Sequence, residues 1–288
     1  MNWFRFSFLL LAAGTVYAAP LPDLGSLKPD LVIPELREGK PAPGHRVRQT
    51  LPGYAGTRVY HVLYLPEDWQ PGRRYPVIAE YAGNGGYTNR YGDISLGWPE
   101  NSRLGYGLSG GRGCLWICLP YIVGRGNERA NTNRWWGDIA ETVGYCQAAM
   151  RWLAAEYGAD TNRLVLAGFS RGAIGCNVLG LHDEETSWLW RAFFAHSHYD
   201  GVNTNWPYQG ADRASALERL QRLRGRPQWI SQEGGVKATE DYLRTIKIPG
   251  DFTFVPLPFR NHTDAWVLYD LPERRQAREW LARVMQMP

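Results

Sequence analysis

The chain has 288 residues, enough for one large α/β domain or two small ones, and enough to bury a full core without disulfides or metals. The formal charge of only +4 and the scatter of basic residues argue against a nucleic-acid partner. The one basic cluster, Arg219 to Arg226, reads as a solvated helix end. The 13 Trp and 16 Tyr are expected mostly in the core, with some left to form a flat stacking surface for sugar rings.

Residues 1–18 read as a signal peptide. Arg5 is the positive charge, Phe6 to Ala13 the apolar stretch, and Val16-Tyr17-Ala18 the small-residue cleavage pattern, with the cut after Ala18. That apolar stretch is too short to span a bilayer, and no later segment is apolar enough, so stable membrane insertion is not expected. The expected location is outside the cell or in a periplasm. Residues 19–57, rich in Pro, Gly and charge, read as an extended lead-in to a catalytic domain over residues 58–288.

From there strand and helix signals alternate. Strands are expected over Arg58–Leu65, Tyr75–Tyr81, Cys114–Tyr121, Arg163–Ala167, Arg191–Ser197, Pro227–Ser231 and Asp251–Leu257. Several are continuous apolar runs, as in strands covered on both faces. The clearest helix is Asp138–Tyr157. Ile139, Val143, Cys146, Met150 and Leu153 recur at helical spacing, Asp138 and Glu141 form a capping box, and Gly158 supplies the stop. Ala211–Leu223, Lys237–Thr245 and a last helix from about Asp270 to Met285 follow. This alternation implies an α/β fold: a mostly parallel central sheet with helices on both faces. Two long Gly-, Asn- and Arg-rich stretches, 83–112 and 123–137, are expected to line the mouth of a site. Export would permit disulfides. Cys114 and Cys118 face the same side of a strand and are badly placed to bridge each other. Cys146 and Cys176 could bridge or stay as buried thiols, and no cysteine spacing suggests zinc.

The chemistry is expected at Ser170. Gly168-Phe169-Ser170-Arg171-Gly172 is a motif that chance can supply, but it follows the apolar run Arg163–Ala167 and precedes a helix start. Such a strand-turn-helix elbow exposes a serine hydroxyl in a tight turn. A serine needs a base. His262 follows the last strand and precedes the last helix, the place the chain order Ser, acid, His demands. His196 and His198 come too early in that order and are expected to shape the pocket; His45, His61 and His182 are expected to be structural. The acid that orients His262 is Glu233, at the end of its strand, or else Asp200, after the preceding one. Asp264 is expected to cap the turn beside His262, and Glu240 and Asp241 to be solvated on a helix. The oxyanion donors are expected to be the backbone N–H of Arg171 and that of Asn84 or Gly85, from the glycine-rich loop after the third strand. Trp135, Trp136 and His198 are expected to contact substrate.

From about Val59 to its end the chain resembles the α/β-hydrolase superfamily. The resemblance rests on the Gly168–Gly172 elbow, the Gly83–Gly86 loop and His262 after the last strand. Within the superfamily it looks most similar to secreted carbohydrate-esterase-like and prolyl-oligopeptidase-like serine hydrolases. Asn84-Gly85-Gly86 stands where many esterases carry His-Gly, and the frequent Gly-x-x-Asp form of the acid loop is absent. The resemblance implies a triad borne by the protein alone, with no metal or organic cofactor. It also implies a small-molecule or polysaccharide ester as substrate, the ester being cleaved through an acyl-enzyme. Two other readings stand beside it: a prolyl-oligopeptidase-like peptidase, for which residues 19–57 are too short to hold the usual propeller, and a non-catalytic binding protein on a hydrolase fold.

Overall fold

A computed structural model describes residues 21–286, so the expected signal peptide lies outside the described residues. Nine strands form one sheet: β1 Leu36–Arg37, β2 Arg46–Gln49, β3 His61–Tyr64, β4 Tyr75–Tyr81, β5 Leu115–Leu119, β6 Ala159–Phe169, β7 Ala192–His196, β8 Pro227–Glu233 and β9 Asp251–Leu257. Their order is β1-β2-β3-β5-β4-β6-β7-β8-β9. Only β3 runs against its neighbours; the other pairings are parallel. The lead-in segment is therefore more than an extended approach, because it supplies the two strands at one edge.

The helices are α1 Leu104–Ser109, α2 Ile139–Tyr157, α3 Arg171–Val178, α4 Glu184–Trp188, α5 Arg213–Gln221, α6 Lys237–Ile246 and α7 Pro272–Gln286. Alternation along the strands sorts them into two layers. Leu164, Leu166, Phe193 and Ile230 point to one face and pack with Val143 and Met150 of α2, Ile174 of α3 and Leu220 of α5. Val165, Ala167, Phe194 and Trp229 point to the other and pack with Leu104 and Leu108 of α1 and Trp280 and Leu281 of α7. Among the described residues no helix is long and apolar enough to cross a membrane.

Local chemistry sets the helix ends. Asp138 accepts from the Glu141 N–H at the start of α2, and Gly158 takes the left-handed conformation (φ = 74°) at its end. The expected Arg163–Ala167 strand is longer at both ends, and the expected Arg58–Leu65 strand is shorter. All four cysteines are free and buried, so Cys146 and Cys176 do not bridge. The Arg219–Arg226 cluster is not simply solvated: Arg219 pairs with buried Asp200, and Arg226 donates to the carbonyls of Ser187 and Trp190.

Glu80, fully buried in β4, anchors the start of α1. Its carboxylate accepts from the N–H groups of Arg103, Leu104 and Gly105 (3.0, 3.0 and 2.8 Å) and from the Trp116 indole N–H (2.8 Å). Glu80→Ala leaves four buried donors unpaired at about 1–3 kcal/mol each, and a loss of several kcal/mol in urea unfolding is expected. Burial, with the nearby Asp264 charge, pushes this carboxyl up from 4.5 to about 7. A raised acid favours the protonated fold. Its contribution is therefore complete below about pH 4.5 and lost as the pH rises through about 7. Unfolding free energies measured at pH 5 and pH 8 should fall in that direction in the wild type and differ less in Glu80→Gln.

Candidate active site

The strand order reverses between β4 and β6. From β4 the chain moves to β5 on one side, and from β6 it moves to β7, β8 and β9 on the other. Parallel sheets open a crevice at the carboxyl ends of the strands at such a switch point. Ser170 lies there, after β6, flanked by the Gly83–Gly86 loop after β4.

The elbow is strained. Ser170 has φ = 53° and ψ = −112°, and its N–H donates to the His196 carbonyl at 2.8 Å. Such a conformation costs about 1–3 kcal/mol and persists only where the surroundings enforce it. Two close approaches explain the flanking glycines. A Cβ on Gly168 would lie 2.0 Å from the Gly172 carbonyl oxygen, and one on Gly172 would lie 2.1 Å from the Tyr81 carbonyl oxygen.

A continuous hydrogen-bonded chain starts at the serine. His262 Nε2 is 3.0 Å from Ser170 Oγ, and His262 Nδ1 is 2.6 Å from Glu233 Oε1. Glu233 ends β8 and His262 sits in the loop after β9, so parallel strand packing alone brings both to the serine. Burial pushes the Glu233 carboxyl up, but its bonds with His262 and Ser197 and the charge of the imidazoles outweigh this, and the net shift is downward. It can accept from Nδ1–H, an arrangement that leaves Nε2 facing Ser170 Oγ.

Asp200 does not reach the histidine. It is fully buried and held by Arg219 at 2.8 and 3.0 Å and by the Tyr208 hydroxyl at 3.0 Å. Asp264 is not the cap either. The Thr263 hydroxyl accepts from the Ala265 N–H, while Asp264 pairs with Arg103 at 2.7 Å. On the glycine-rich loop the Gly85 N–H already donates to the Asn133 carbonyl at 2.6 Å, which removes it as an oxyanion donor. The Asn84 N–H finds no acceptor among the described residues. Arg171 is the first residue of α3, whose leading amides the helix leaves unpaired.

A cavity of about 110 Å³ opens onto Ser170 and His262. Asn84, Tyr87, Trp135, Ile174, His198 and Trp206 wall it, together with Arg171. Trp135 and His198 thus line it beside Ser170. Trp136 does not. It is buried behind Trp135, edge-on to it at 5.5 Å. Burial holds His198 down to about 4, so it is a neutral neighbour of His262. A larger hollow, about 700 Å³, lies at the opposite end of the sheet. Its arginines are engaged by Asp160, Glu184 and the carbonyls of Val284, Ser187 and Trp190, and it holds no nucleophile–base pair.

Several supporting contacts were not legible in the sequence. Ser197, also at positive φ (89°), lies between acid and base, with Oγ 2.8 and 2.9 Å from the two Glu233 oxygens and 2.7 Å from His262 Nδ1. Its place at the end of an expected strand was the only signal. His196 Nε2 bonds the Thr263 carbonyl at 3.0 Å, and Asp93 accepts from the His262 N–H at 2.8 Å and the Asn261 side-chain amide at 2.9 Å. Asp93 comes from the long 83–112 stretch, where nothing in the pattern marks it. Among the described residues no group of three or more His, Cys, Asp or Glu is placed to hold a metal ion.

No family model and no curated protein matches the sequence. Solved structures do match the fold. An S-formylglutathione hydrolase from Agrobacterium tumefaciens superposes with a TM-score of 0.56 at 14% identity, covering 83% of this chain and 93% of that one. FphF, a fluorophosphonate-binding serine hydrolase of Staphylococcus aureus, superposes with a TM-score of 0.51 at 10% identity, covering 84% and 98%. The chain spans 58% of the length of a thermostable esterase that it matches at a TM-score of 0.47 and 16% identity, over 78% of its own length. The fold is the α/β-hydrolase fold.

Proposed function

We propose that this protein is a serine hydrolase that cleaves carboxylic esters with short acyl groups. The observation that carries the reading is the unbroken Ser170–His262–Glu233 chain at the switch point of the sheet. Ser170 Oγ attacks the ester carbonyl carbon while His262 Nε2 takes its proton. The N–H groups of Arg171 and Asn84 hold the resulting oxyanion. Collapse breaks the bond to the alcohol oxygen, which leaves with the proton from His262. Water, deprotonated by His262, then attacks the acyl-Ser170, and the carboxylic acid departs as Ser170 regains its proton.

The short acyl group is inferred from space. The cavity beside Ser170 is only about 110 Å³. That suits an acetyl or propionyl chain closed off by Trp135 and Trp206. An acetylated polysaccharide carries such groups, and the expected export of the chain suits one as substrate.

The test is a panel of p-nitrophenyl esters from two to twelve carbons, acetylated xylan, a feruloyl ester and a Pro-containing peptide, run beside fluorophosphonate labelling. Turnover should peak at two to four carbons. Turnover of the peptide alone would make the protein a peptidase, and absence of turnover and labelling would leave a binding protein. Trp206→Ala, which opens one wall, is expected to move the preferred acyl length upward by several carbons, read as the ratio of kcat/KM for octanoate over acetate.

A further inference from the structure

We propose that the Arg171 side chain is a positioning residue for the oxyanion site: its guanidinium fixes and polarises the peptide unit whose N–H, that of Asn84, faces the developing charge. This rests on the hydrolase reading above and assigns a role to the residue following the nucleophile that its position in the motif does not imply.

The Arg171 side chain is fully buried beside Ser170, and among the described residues no carboxylate pairs with it. A buried cation without a counter-ion is costly, and a methionine of similar length would fill the space without that cost. What holds the charge here is backbone. Nη2 donates to the Gly83 carbonyl at 2.8 Å and to the Gly97 carbonyl at 3.3 Å, and Nη1 donates to the Trp135 carbonyl at 2.6 Å. The Tyr121 ring lies 3.7 Å beneath the guanidinium, and the Tyr121 hydroxyl donates to the next carbonyl back, Ala82, at 2.7 Å. Burial draws Arg171 down only to about 10, so it remains charged at neutral pH.

The Gly83 carbonyl and the Asn84 N–H belong to one peptide unit. No peptide bond among the described residues is cis, so the two groups point in opposite directions. A guanidinium clamped on the oxygen therefore turns the N–H the other way, and Asn84 lines the cavity onto which Ser170 opens. A full positive charge on the carbonyl oxygen also polarises the unit, and bonds in such a chain strengthen one another. The same residue also holds the neighbouring Trp135. Trp135 sits at φ = 46°, its carbonyl on Arg171 and its N–H on Asn84 Oδ1 at 2.9 Å. Arg171 would thus supply one oxyanion donor by its own backbone and aim the other through its side chain.

Arg171→Met and Arg171→Lys test this. Three quantities are read: kcat per site titrated with a fluorophosphonate, KM for p-nitrophenyl acetate, and the Ki of a methyl trifluoromethyl ketone, whose hemiketal adduct on Ser170 carries an oxyanion. Loss of one aimed donor is worth about 10²–10³ in kcat. Arg171→Met should fall by about that factor with KM little changed, with Ki rising in parallel, and Arg171→Lys should retain part of both. A merely structural role would lower the titrated fraction and leave kcat per site and Ki unmoved, and that result overturns the proposal. If neither variant folds, the wild type decides by amide NMR. Formation of the ketone adduct should shift the Asn84 amide proton downfield, and an unmoved Asn84 amide overturns the proposal. Wild type that neither labels nor turns over esters would instead refute the hydrolase reading itself.

Discussion

Ser170→Ala is expected to abolish fluorophosphonate labelling and to lower kcat on p-nitrophenyl acetate by about 10⁴-fold or more, with the fold intact. The reason is geometric. Ser170 Oγ is the only hydroxyl within bonding distance of His262 Nε2 among the described residues, and the side chain takes no part in capping α3. His262→Ala should cost about as much, and the double variant little more, because the pair acts as a unit. Multiplicative losses would mean that the two residues act independently, against the mechanism proposed. Alanine at 170 should leave the melting temperature within a few degrees. The strained backbone, not the hydroxyl, is the demanding feature of the elbow, and alanine inherits that strain without adding to it.

The second large effect separates the two carboxylates that the sequence left as rivals. Glu233→Gln is expected to lower kcat by about 10²–10⁴. The amide no longer enforces the Nδ1–H tautomer of His262 or stabilises the imidazolium, and stability should change little. Asp200→Asn is expected to do the reverse. It breaks a bidentate pair whose carboxylate is fully buried and leaves the Arg219 guanidinium without its counter-charge, a loss of about 3–5 kcal/mol. Catalysis per folded molecule should persist, because Asp200 touches no member of the chain. Steady-state kinetics normalised by active-site titration, set beside urea unfolding, distinguishes them. Asp200→Asn with intact stability and lost kcat would transfer the acid's role to Asp200.

Much of this was legible in the chain. Continuous apolar runs such as Arg163–Ala167 and the period of Ile139, Val143, Cys146 and Met150 announce buried parallel strands and a covering helix. Such periodicity follows from local geometry and needs no partner to be read. Ser170 and His262 were legible for a related reason. Both sit at junctions of elements, and parallel strands carry their carboxyl ends to one edge of the sheet. The same logic placed Glu233 at a strand end, but it placed Asp200 after a strand as well, and sequence position offers no way to see that Arg219, one helix later, folds back onto Asp200.

The serine elbow is therefore determined by the sequence in its local form. Glycines two residues either side of Ser170, a strand before and a helix after set the tight turn, because backbone contacts of 2.0 and 2.1 Å admit no Cβ. What only the tertiary structure decided lies in contacts between distant segments. These include the bond of His262 to Glu233 and not to Asp200, Ser197 wedged between Glu233 and His262, the Gly85 amide spent on Asn133, Trp136 withdrawn behind Trp135, and the Arg171 guanidinium turned onto three carbonyls instead of solvent. Each depends on which loop packs beside which, and a linear pattern does not record the distance between residues 83 and 171 until the strands beneath them are paired.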